Sequence, residues 1–585
     1  MSDWDEEVDL LIFGAGAGGM TAGLVAANER LNVLVCEKTG QVGGIMSTSG
    51  GTVWVPGTAL SAEAGVPDNV EDARQFLRAV VADRGGDEAR EAFLQSGPEA
   101  IAELARISEV KFVAATAHPD YLAGPGAAFG GRALIPLPFD ARVLGKAFSR
   151  VRPPRGEFMG LGGMMVARAD LGMLLAPFAS FANFKRTLAV VGRYALDRLR
   201  YPRGTQLVMG NALAARLYYS LLQRRVEVRF DTPLVELIRE QGRVTGAVVG
   251  TSNGHRRIRA RRGVVLATGG ITRHPALRKQ LFPEGAVGLS LSPDTHTGDG
   301  VGQGQRVGAR IESSGDSPGL WMPCSIRRAP GDDRSRDRVW PHIILDRAKP
   351  GLIAVNSRGE RFVNESNSYH DFVMGMLRDD GNGTSVPAHL LVDAAFIQKY
   401  GLGLLMAGRS ASRIAEFERA GYLIKGGTLA ELAGKLGVDS AGLARTVEAY
   451  NQAASRGEDP AFHRGASAMN RFNGDEAQKP NPCVRPIGAG PYYAVTVWPA
   501  DLACSAGLDG SADGEVLDDA GRVIPGLFAC GNDLASIFRG TYPGPGTTLG
   551  PAIVFGWRIA KFVARGDGDA SGSPRRSDQA AVSTS

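Results

Sequence analysis

The chain has 585 residues and a net charge of only +5, and 44% of its residues are hydrophobic. A chain of this length and composition can form more than one domain with a large buried core, which excludes an intrinsically disordered protein. The small net charge and the absence of a recognisable DNA- or RNA-binding motif argue against a nucleic-acid partner.

The cysteines and the N-terminus narrow the class of protein further. Five cysteines are scattered along the chain without CxxC spacing: Cys36, Cys324, Cys483, Cys504 and Cys530. This pattern argues against a metal site, an iron–sulfur cluster or a disulfide framework, and it suits a reducing cytoplasm. The acidic N-terminus differs from a secretory signal, and no apolar run reaches the roughly 20 residues of a membrane-spanning helix. We therefore expect a cytoplasmic protein with no metal.

The first predicted element is a βαβ unit. An apolar run at residues 8–13 is typical of a buried parallel strand, and a small-residue helix follows up to residue 28. A second strand at residues 32–36 ends in Glu37. The turn between the first strand and the helix reads GAGAGG, which matches the GxGxxG spacing of dinucleotide-binding proteins.

Each residue of this motif has a physical role. Gly14 permits the tight turn, Gly16 lets the backbone approach a pyrophosphate, and Gly19 lets the helix pack closely on the strand. The phosphate charge would lie at the N-terminus of the helix, where free N–H groups point outward. Glu37 has the spacing of a carboxylate that accepts hydrogen bonds from ribose hydroxyls, and an acid here favours an unphosphorylated ribose.

Three further glycine-containing loops bear on the kind of dinucleotide. One follows Glu37 directly and contains two glycine pairs, at residues 43–44 and 50–51. Such a loop can lay its backbone against a flavin, although a surface loop would look the same. Two others follow strands predicted at residues 257–268 and 526–530. The residues expected to contact the cofactor are Gly14, Ala15, Gly16, Gly19, Glu37, Lys38, Thr39, Gly43, Gly44, Ser47, Gly50, Gly51, Leu234, Ala267, Thr268, Gly269, Gly531, Asn532, Asp533, Thr548 and Leu549.

The rest of the chain alternates helices and strands. Residues 71–104 are predicted to be helical, with breaks at Gly85-Gly86 and at Gly97-Pro98. Helix patterns follow at residues 205–224, 411–420 and 429–453, a strand pair at 227–250, and a final helix at 551–565. The tail after Gly566 is rich in Gly, Ser, Asp and Arg, which predicts disorder.

Residues 160–203 form an insertion with an unusual composition. Its apolar side chains include Met164, Met165, Leu171, Met173, Leu174, Leu175, Phe178, Phe181, Phe184 and Leu188, and its basic ones Lys185, Arg186, Arg193, Arg198, Arg200 and Arg203. A hairpin packed on its own protein, or a dimer surface, is one interpretation. A segment that rests on anionic lipid, so that an apolar substrate can enter the site from the membrane, is the other. The composition leaves both open.

The order of these elements, with three short motifs, resembles the flavoprotein family of fumarate reductases, succinate dehydrogenases and 3-ketosteroid dehydrogenases. The motifs are VNSRGERFVNE at residues 355–365, YPGPG at residues 542–546 and HPDY at residues 118–121. The resemblance implies an α/β fold with a discontinuous Rossmann-like FAD-binding domain and an inserted α+β substrate or cap domain. It also implies FAD held without a covalent link, because residues 40–58 contain no histidine.

The resemblance also implies a division of the chain. The FAD-binding domain would comprise residues 1–325, with the insertion at about 150–205, and residues 499–566. The cap domain would comprise residues 326–498, and residues 567–585 would be the disordered tail.

Within this family the YPGPG core is similar to the signature of 3-ketosteroid 1-dehydrogenases. These enzymes convert a 4-ene-3-ketone to a 1,4-diene-3-ketone in steroid degradation, by removing a proton from ring carbon 2 and a hydride from ring carbon 1 to flavin N5. The resemblance implies that Tyr542 O–H and the Gly546 N–H donate to the ketone oxygen, that Tyr369 is the base, and that Tyr121 is its hydrogen-bond neighbour. His370 is a rival base because histidine titrates near neutrality.

Relatives that act on sterols with long side chains, such as cholest-4-en-3-one 1-dehydrogenases, have a similar insertion. The resemblance therefore implies a 3-ketosteroid or sterol-derived substrate, an electron acceptor such as a quinone or carrier that reoxidises the flavin, and contact with the inner face of the membrane through residues 160–203.

Two departures from the family pattern keep other functions open. Residues 500–508 lack the histidine that fumarate reductases place there, which lowers that interpretation. Ala506 replaces a glycine common in the family, which puts the flavin contacts there in doubt. A reductase of unsaturated dicarboxylates, which would need arginines in the pocket, and a non-catalytic flavin electron carrier remain alternatives.

Overall fold

The structure is a computed structural model that describes residues 4–166, 173–174, 177–286, 288–343, 345–379 and 384–566. The predicted disordered tail at residues 567–585, and Leu171 and Leu175 of the insertion, lie outside the described residues. Among the residues that are described, no helix combines the length and the apolar character needed to cross a bilayer.

An eight-stranded sheet forms the centre of the first region. Its strands run in the order Glu515–Leu517, Val523–Ala529, Gly254–Leu266, Glu6–Phe13, Val33–Cys36 and Glu227–Arg229, and Arg243–Thr251 and Leu234–Glu240 extend it from Gly254–Leu266. The five strands from Val523–Ala529 to Glu227–Arg229 are parallel, and the others pair antiparallel. The predicted strand pair at residues 227–250 is therefore three strands.

The C-terminal part of the chain returns to this sheet. Val523–Ala529 pairs with Gly254–Leu266, and the final helix Leu549–Arg565 packs on the helix Ala17–Asn28 that follows the first strand. The two helices approach closely because Gly556 lies against the carbonyl of Gly18, where a Cβ atom would be only 2.5 Å from that oxygen. The N-terminal and C-terminal parts thus form one discontinuous α/β region.

The expected helix break at Gly97-Pro98 is wrong. The helix Val70–Val81 ends before Gly85-Gly86 as predicted, but the next helix runs unbroken from Asp87 to Ile107. A proline inside a helix removes one hydrogen bond, and packing can compensate for that loss. Here Phe93, Leu94, Ala100, Ile101 and Leu104 of this helix are buried.

A second, six-stranded antiparallel sheet forms the middle region. Its strands are ordered Arg338–Pro341, Gly319–Arg327, Tyr492–Cys504, Ala388–Asp393 and Leu352–Val355, and Ile424–Gly426 pairs with Tyr492–Cys504. This mixture of a largely parallel sheet and an antiparallel sheet confirms the predicted fold class. The exact division of the chain at residues 326 and 499 stays a prediction.

The remaining elements connect and cover the two sheets. The other helices are Ala59–Glu63, Met209–Gln223, Pro275–Leu281, Asp299–Arg306, Tyr369–Asp379, Ala394–Tyr400, Ala411–Arg419, Leu429–Leu436, Ser440–Ala454 and Ala468–Asn473, with short 3-10 turns between them. The other strands are Val53–Trp54, Phe112–Ala114, Ala133–Pro136, Phe139–Asp140, Gln206–Leu207, Ile311–Glu312, Gly401–Leu402, Leu405–Met406 and Gly507–Leu508. The single helix expected at residues 429–453 is two helices, because Gly437 adopts the left-handed conformation and ends the first.

The insertion has an inner side fastened to the protein. Its helix Phe181–Arg198 is held by a hydrogen bond from Tyr194 to the Leu161 carbonyl (2.8 Å) and by an ion pair from Arg193 to Asp140 (2.9 Å). Met164, Met165 and Arg203 are buried, and the Arg203 guanidinium lies over the ring of Phe148. Met164, Met165 and Arg203 therefore face inward, as in a segment packed on its own protein.

Candidate active site

The GxGxxG turn and the second glycine loop form one surface. The Gly43 N–H donates to the Ala15 carbonyl at 2.7 Å, which joins the two loops. Gly14 has φ +103°, and a Cβ atom there would overlap the Ala267 carbonyl, so the third loop packs on the first. A Cβ atom at Gly16 would meet no atom within 4 Å, which leaves open space beside the backbone at this glycine. We call the loops at residues 14–19, 37–51, 267–270 and 531–533 the cofactor cradle.

Glu37 fixes the turn of the cradle. Its carboxylate accepts the Ala15 N–H (2.9 Å), the Thr39 N–H (2.9 Å) and the Thr39 hydroxyl (2.9 Å). A carboxylate has about four acceptor positions, so this group can still accept a hydroxyl of a ribose. Lys38 points elsewhere, since its ammonium group binds Thr297 and Asp299, both at 2.7 Å.

A second carboxylate holds the other side of the cradle. Asp533 accepts the N–H groups of Thr268 (2.5 Å) and Gly270 (2.8 Å) and the Thr268 hydroxyl (3.0 Å). Burial raises the pKa of Asp533 to about 6. The loop at residues 531–533, which comes from the C-terminal part of the chain, is thereby fastened to the loop at residues 267–270.

The other predicted cofactor residues lie around these loops. Gly19 packs on the Gly14 carbonyl, Gly44 approaches Gly16, and Gly51 packs on Gly210. Gly50 lies next to Gly51 in the second loop, and Thr548 and Leu549 begin the final helix. Gly269 packs on His296, and Leu234 lies two residues after Thr232, whose N–H donates to the Glu37 carbonyl. The side chain of Asn532 is close to Gly270.

Two buried polar atoms, one in the cradle and one beside it, fit a bound cofactor. Ser47 Oγ and His296 Nδ1 are buried and have no hydrogen-bond partner within the described part of the chain. Buried polar atoms without partners are uncommon, and a ligand is one group that satisfies them. Burial, with Arg152, Lys38 and Arg273 nearby, lowers the pKa of His296 to about 3. His296 was not predicted from the sequence; its place in a Thr-, Gly- and Asp-containing loop just before a helix was the available signal.

Three distant tyrosines meet in the structure. The ring centroids of Tyr121, Tyr369 and Tyr542 lie 5.4 to 5.7 Å apart. The Tyr121 hydroxyl donates to the Tyr369 hydroxyl at 3.4 Å, and the rings of Tyr369 and Tyr542 meet edge to face. All three side chains are buried. We call these residues the tyrosine cluster, which the sequence analysis predicted as a group.

Local sequence explains how each tyrosine is held. Tyr369 opens a helix, and the hydroxyl of the preceding Ser368 accepts the Asp371 N–H at 3.1 Å, as an N-cap residue does. Tyr121 lies in the loop before the strand Ala133–Pro136, and its N–H donates to the Pro543 carbonyl at 2.7 Å. That bond fastens the loop of Tyr121 to the YPGPG loop of Tyr542.

The pKa values of the three phenols shift in one direction. Burial raises the pKa of Tyr121 and of Tyr542. Burial, and then the neighbouring phenols, raise the pKa of Tyr369 well above its ordinary value. At neutral pH the three hydroxyls are therefore hydrogen-bond donors, and a phenolate at Tyr369 needs stabilisation by its neighbours.

His370 is unsuited to be the base. Its Nδ1 accepts the Trp321 N–H at 3.2 Å, and its Nε2 is buried without a hydrogen-bond partner among the described residues. Burial lowers the pKa of His370 to about 3, and its ring stacks on Tyr542 with the centroids 5.8 Å apart. The histidine therefore supports Tyr542 as a neutral side chain, and its acceptor nitrogen is already in use.

Gly546 is a glycine for a packing reason. It has φ +95°, and a Cβ atom there would overlap the carbonyl of Thr52. Its carbonyl accepts the Trp54 N–H at 3.2 Å and the Gly550 N–H at 2.9 Å. The predicted approach of a substrate to its N–H stays a prediction.

The walls around the tyrosine cluster are apolar. The buried members of this core are Leu320, Met322, Cys324, Met469, Ala500 and Ala503, and the half-buried ones are Leu289, Leu291, Val339, Ile343 and Leu502. Arg155 donates to the Val339 carbonyl at 3.4 Å, and its charge is balanced by Glu157 at 3.5 Å. A neutral, apolar molecule therefore suits these walls better than a dicarboxylate.

Comparisons with known proteins agree with this architecture. A family model described as FAD binding domain matches residues 9–549. The chain is 37% identical to 4-oxocyclohex-2-ene-1-carboxylate 5-dehydrogenase of Sinomonas cyclohexanicum, over 95% of this chain and 94% of that one. It is 34% identical to 3-oxosteroid 1-dehydrogenase of Mycolicibacterium smegmatis, over 96% of this chain and 97% of that one.

A solved structure is similar over nearly the whole chain. The crystal structure of 3-ketosteroid delta1-dehydrogenase from Sterolibacterium denitrificans, in complex with 1,4-androstadiene-3,17-dione, superposes with a TM-score of 0.86 at 35% identity. The alignment covers 96% of this chain and 100% of that one.

Proposed function

This chain belongs to the FAD binding domain family, and on that premise we propose that it is a dehydrogenase of 3-ketosteroids. The proposed reaction converts a 4-ene-3-ketone to a 1,4-diene-3-ketone. The observation that carries it is the tyrosine cluster, in which three buried phenols meet beside the YPGPG loop within apolar walls.

The cofactor is FAD. When bound, it supplies the acceptor for the hydride that leaves ring carbon 1. We propose that the N-terminus of the helix Ala17–Asn28 faces the pyrophosphate and that Glu37 accepts from the ribose. Ser47 and His296 would satisfy their unpartnered polar atoms on the same cofactor.

The protein residues would handle the proton and the ketone oxygen. Tyr542 O–H and the Gly546 N–H donate to that oxygen, which makes the neighbouring ring carbon acidic. Each donor aimed at developing negative charge contributes about 3 to 4 kcal/mol in comparable sites. Tyr369, as phenolate, takes the proton from ring carbon 2, and the hydroxyl of Tyr121 stabilises that phenolate.

The apolar walls favour a steroid over a small carboxylated ring. The relative from Sinomonas is named for a monocyclic ketone that carries a carboxylate. A buried carboxylate needs a cation to balance it, and Arg155 at the edge of the tyrosine cluster is already paired with Glu157. Fused hydrocarbon rings need only the apolar contacts that Leu320, Met322 and Met469 offer.

The outer face of the insertion suits contact with a membrane surface. Phe178 (85%), Phe181 (82%) and Leu188 (62%) are exposed, and so are Lys185 and Arg198. Aromatic and basic side chains together on a helix are typical of peripheral binding to anionic lipid. A cavity of about 510 Å³ lies under this helix, lined by residues that include Met164, Met165 and Val190. It lies away from the tyrosine cluster, so we assign it no part in the chemistry.

Anaerobic reduction of the flavin tests the proposed substrate. The purified protein is mixed with 4-androstene-3,17-dione, with 4-cholesten-3-one or with 4-oxocyclohex-2-ene-1-carboxylate, and the flavin absorbance is followed. We expect bleaching with the steroids and little with the carboxylate. Rapid bleaching by the carboxylate alone would indicate that the substrate is a monocyclic ketone. If no ring ketone bleached the flavin, both the steroid and the monocyclic ketone would be refuted as substrates. Oxidation of the reduced flavin by fumarate would favour the reductase alternative.

Sedimentation with vesicles tests the membrane contact. We expect the protein to bind vesicles that contain phosphatidylglycerol, and salt to weaken this binding because it screens the basic side chains. The double variant Phe181→Ser, Phe184→Ser should remain in solution. Phe129→Ser removes an exposed phenylalanine outside the insertion and serves as the matched control. Equal binding by the double variant and the control would contradict the contact.

A further inference from the structure

A buried network of hydrogen bonds lies behind the tyrosine cluster. The indole N–H of Trp54 donates to one oxygen of Asp120 at 2.8 Å. The other oxygen of Asp120 accepts from Arg132 (2.6 Å) and from the Ala128 N–H (3.0 Å). Arg132 also donates to Asp68 (3.0 Å) and to the Gly126 carbonyl (2.8 Å). The side chains of Asp120 and Arg132 are each only 2% exposed.

One end of this hydrogen-bond network holds the loop of Tyr121. Asp120 is the residue immediately before Tyr121, and its carboxylate closes the loop by accepting the Ala128 N–H. The Tyr121 N–H in turn donates to the Pro543 carbonyl at 2.7 Å. The orientation of the Asp120 carboxylate therefore bears directly on where the Tyr121 hydroxyl lies.

The other end touches the YPGPG loop. The backbone N–H of Trp54 donates to the Gly546 carbonyl at 3.2 Å. A Cβ atom at Gly544 would lie 2.6 Å from the indole nitrogen of Trp54. The Trp54 carbonyl packs on Gly550 so closely that a Cβ atom there would overlap it. One tryptophan thus contacts the loop of Tyr542 through its backbone and the loop of Tyr121 through its side chain.

Stability alone gives little reason for this arrangement. A buried ion pair costs desolvation, and apolar replacements of buried pairs are often neutral or stabilising. The ring of Trp54 would pack between Phe93 and Phe538 without its N–H, with centroid distances of 6.2 and 5.7 Å. The polar groups instead fix the position of the loop of Tyr121 relative to the loop of Tyr542.

We propose that Trp54, Asp120 and Arg132 are positioning residues that hold the Tyr121 hydroxyl against Tyr369 while they hold Gly546 in place. The inference rests on the proposed function for its effect on catalysis. A misplacement of reacting groups by about 1 Å can lower the rate as much as a hundredfold. Loosening this hydrogen-bond network should therefore slow the reaction. The affinity for FAD and the apolar contacts with the substrate should not weaken.

The test compares two tryptophan variants. Trp54→Phe removes the indole N–H and keeps an aromatic ring. Trp557→Phe is the matched control. Trp557 lies on the final helix and is also buried, and its indole N–H also donates to a carboxylate, that of Glu103, at 2.8 Å. We expect Trp54→Phe to lower kcat about tenfold with KM and FAD affinity nearly unchanged. The alkaline rise of its pH profile should move to higher pH, because Tyr121 no longer supports the Tyr369 phenolate, whereas Trp557→Phe should change neither. Equal kcat values and equal pH profiles for the two variants would overturn the inference.

A measurement that needs no substrate separates this inference from the proposed function. Hydrogen exchange of the Tyr121 and Ala128 amides reports the loop directly. We expect slow exchange in the unmodified protein and faster exchange in Trp54→Phe. Fast exchange in the unmodified protein would refute the positioning role even if no variant folds. Slow exchange with no flavin reduction by any ring ketone would instead refute the proposed dehydrogenase activity. The positioning role would then still be supported.

Discussion

The cofactor cradle is made of loops, and the tyrosine cluster joins two loops to the first residue of a helix. Different interactions hold the two regions. In the cradle, the carboxylates of Glu37 and Asp533 accept backbone N–H groups at 2.5 to 2.9 Å. In the tyrosine cluster, neutral phenols contact one another inside apolar walls, and the fixed charges of Asp120 and Arg132 stand behind them. The first arrangement suits a cofactor that stays bound, and the second suits a neutral substrate that must leave.

The largest expected effect separates the two regions. Tyr369→Phe should lower flavin reduction by a 3-ketosteroid about a hundredfold to ten-thousandfold, the range of a lost general base. Flavin content should not change, because the hydroxyl and ring of Tyr369 contact Tyr121 and Tyr542, which lie outside the cradle loops. Stopped-flow absorbance measures the first quantity and the flavin spectrum of the purified protein measures the second. Tyr400→Phe, which removes a hydroxyl bonded to Asp475, is the control, and normal reduction by Tyr369→Phe would reassign the base.

An intermediate effect is expected on the cradle side. Glu37→Gln loses charge-assisted hydrogen bonds worth about 1.5 to 3 kcal/mol, so the Kd for FAD should rise about 10- to 100-fold. With saturating FAD, kcat should be close to that of the unmodified protein. Isothermal titration of the apoprotein measures the affinity, and the exposed Glu236→Gln on the strand Leu234–Glu240 is the control. A fall in kcat at full FAD occupancy would mean that the two regions are coupled.

The smallest effect is the change of the rate for each unit of pH. The reactive form of Tyr369 is the phenolate, and burial raises the pKa of this group well above its ordinary value. The phenolate fraction, and with it the rate, should therefore rise about tenfold per pH unit through neutral and mildly alkaline pH. His370, with its pKa lowered to about 3, should add no inflection near neutrality. A profile that levels off near pH 7 would indicate a histidine base.

The comparison also explains what could be predicted from the sequence. The turn at residues 14–19 and Glu37 are close in sequence, so spacing alone indicated how they lie. Tyr121, Tyr369 and Tyr542 are hundreds of residues apart, and only their resemblance to a family grouped them. Trp54 and His296 have no local pattern, because their roles arise from packing between segments that periodicity does not relate.

Errors in the predicted elements have the same origin. Gly97-Pro98 has the local pattern of a helix break, yet Gly97 lies against Val55 with room for no larger residue, and the helix continues. Local preference is weak beside the burial of a whole helix face. For the insertion, composition left a packed hairpin and a lipid-facing segment open, and contacts with the rest of the protein bury Arg203 and Met164.

The five cysteines have a practical consequence. All of them are buried as free thiols, and burial raises their pKa values, to about 12 for Cys36 and Cys504. Because the thiolate is the form that reacts with alkylating reagents, the folded protein should resist maleimides. A single cysteine introduced on the surface, for example Ala182→Cys on the insertion helix, could then carry a fluorophore or spin label with no background from the native thiols.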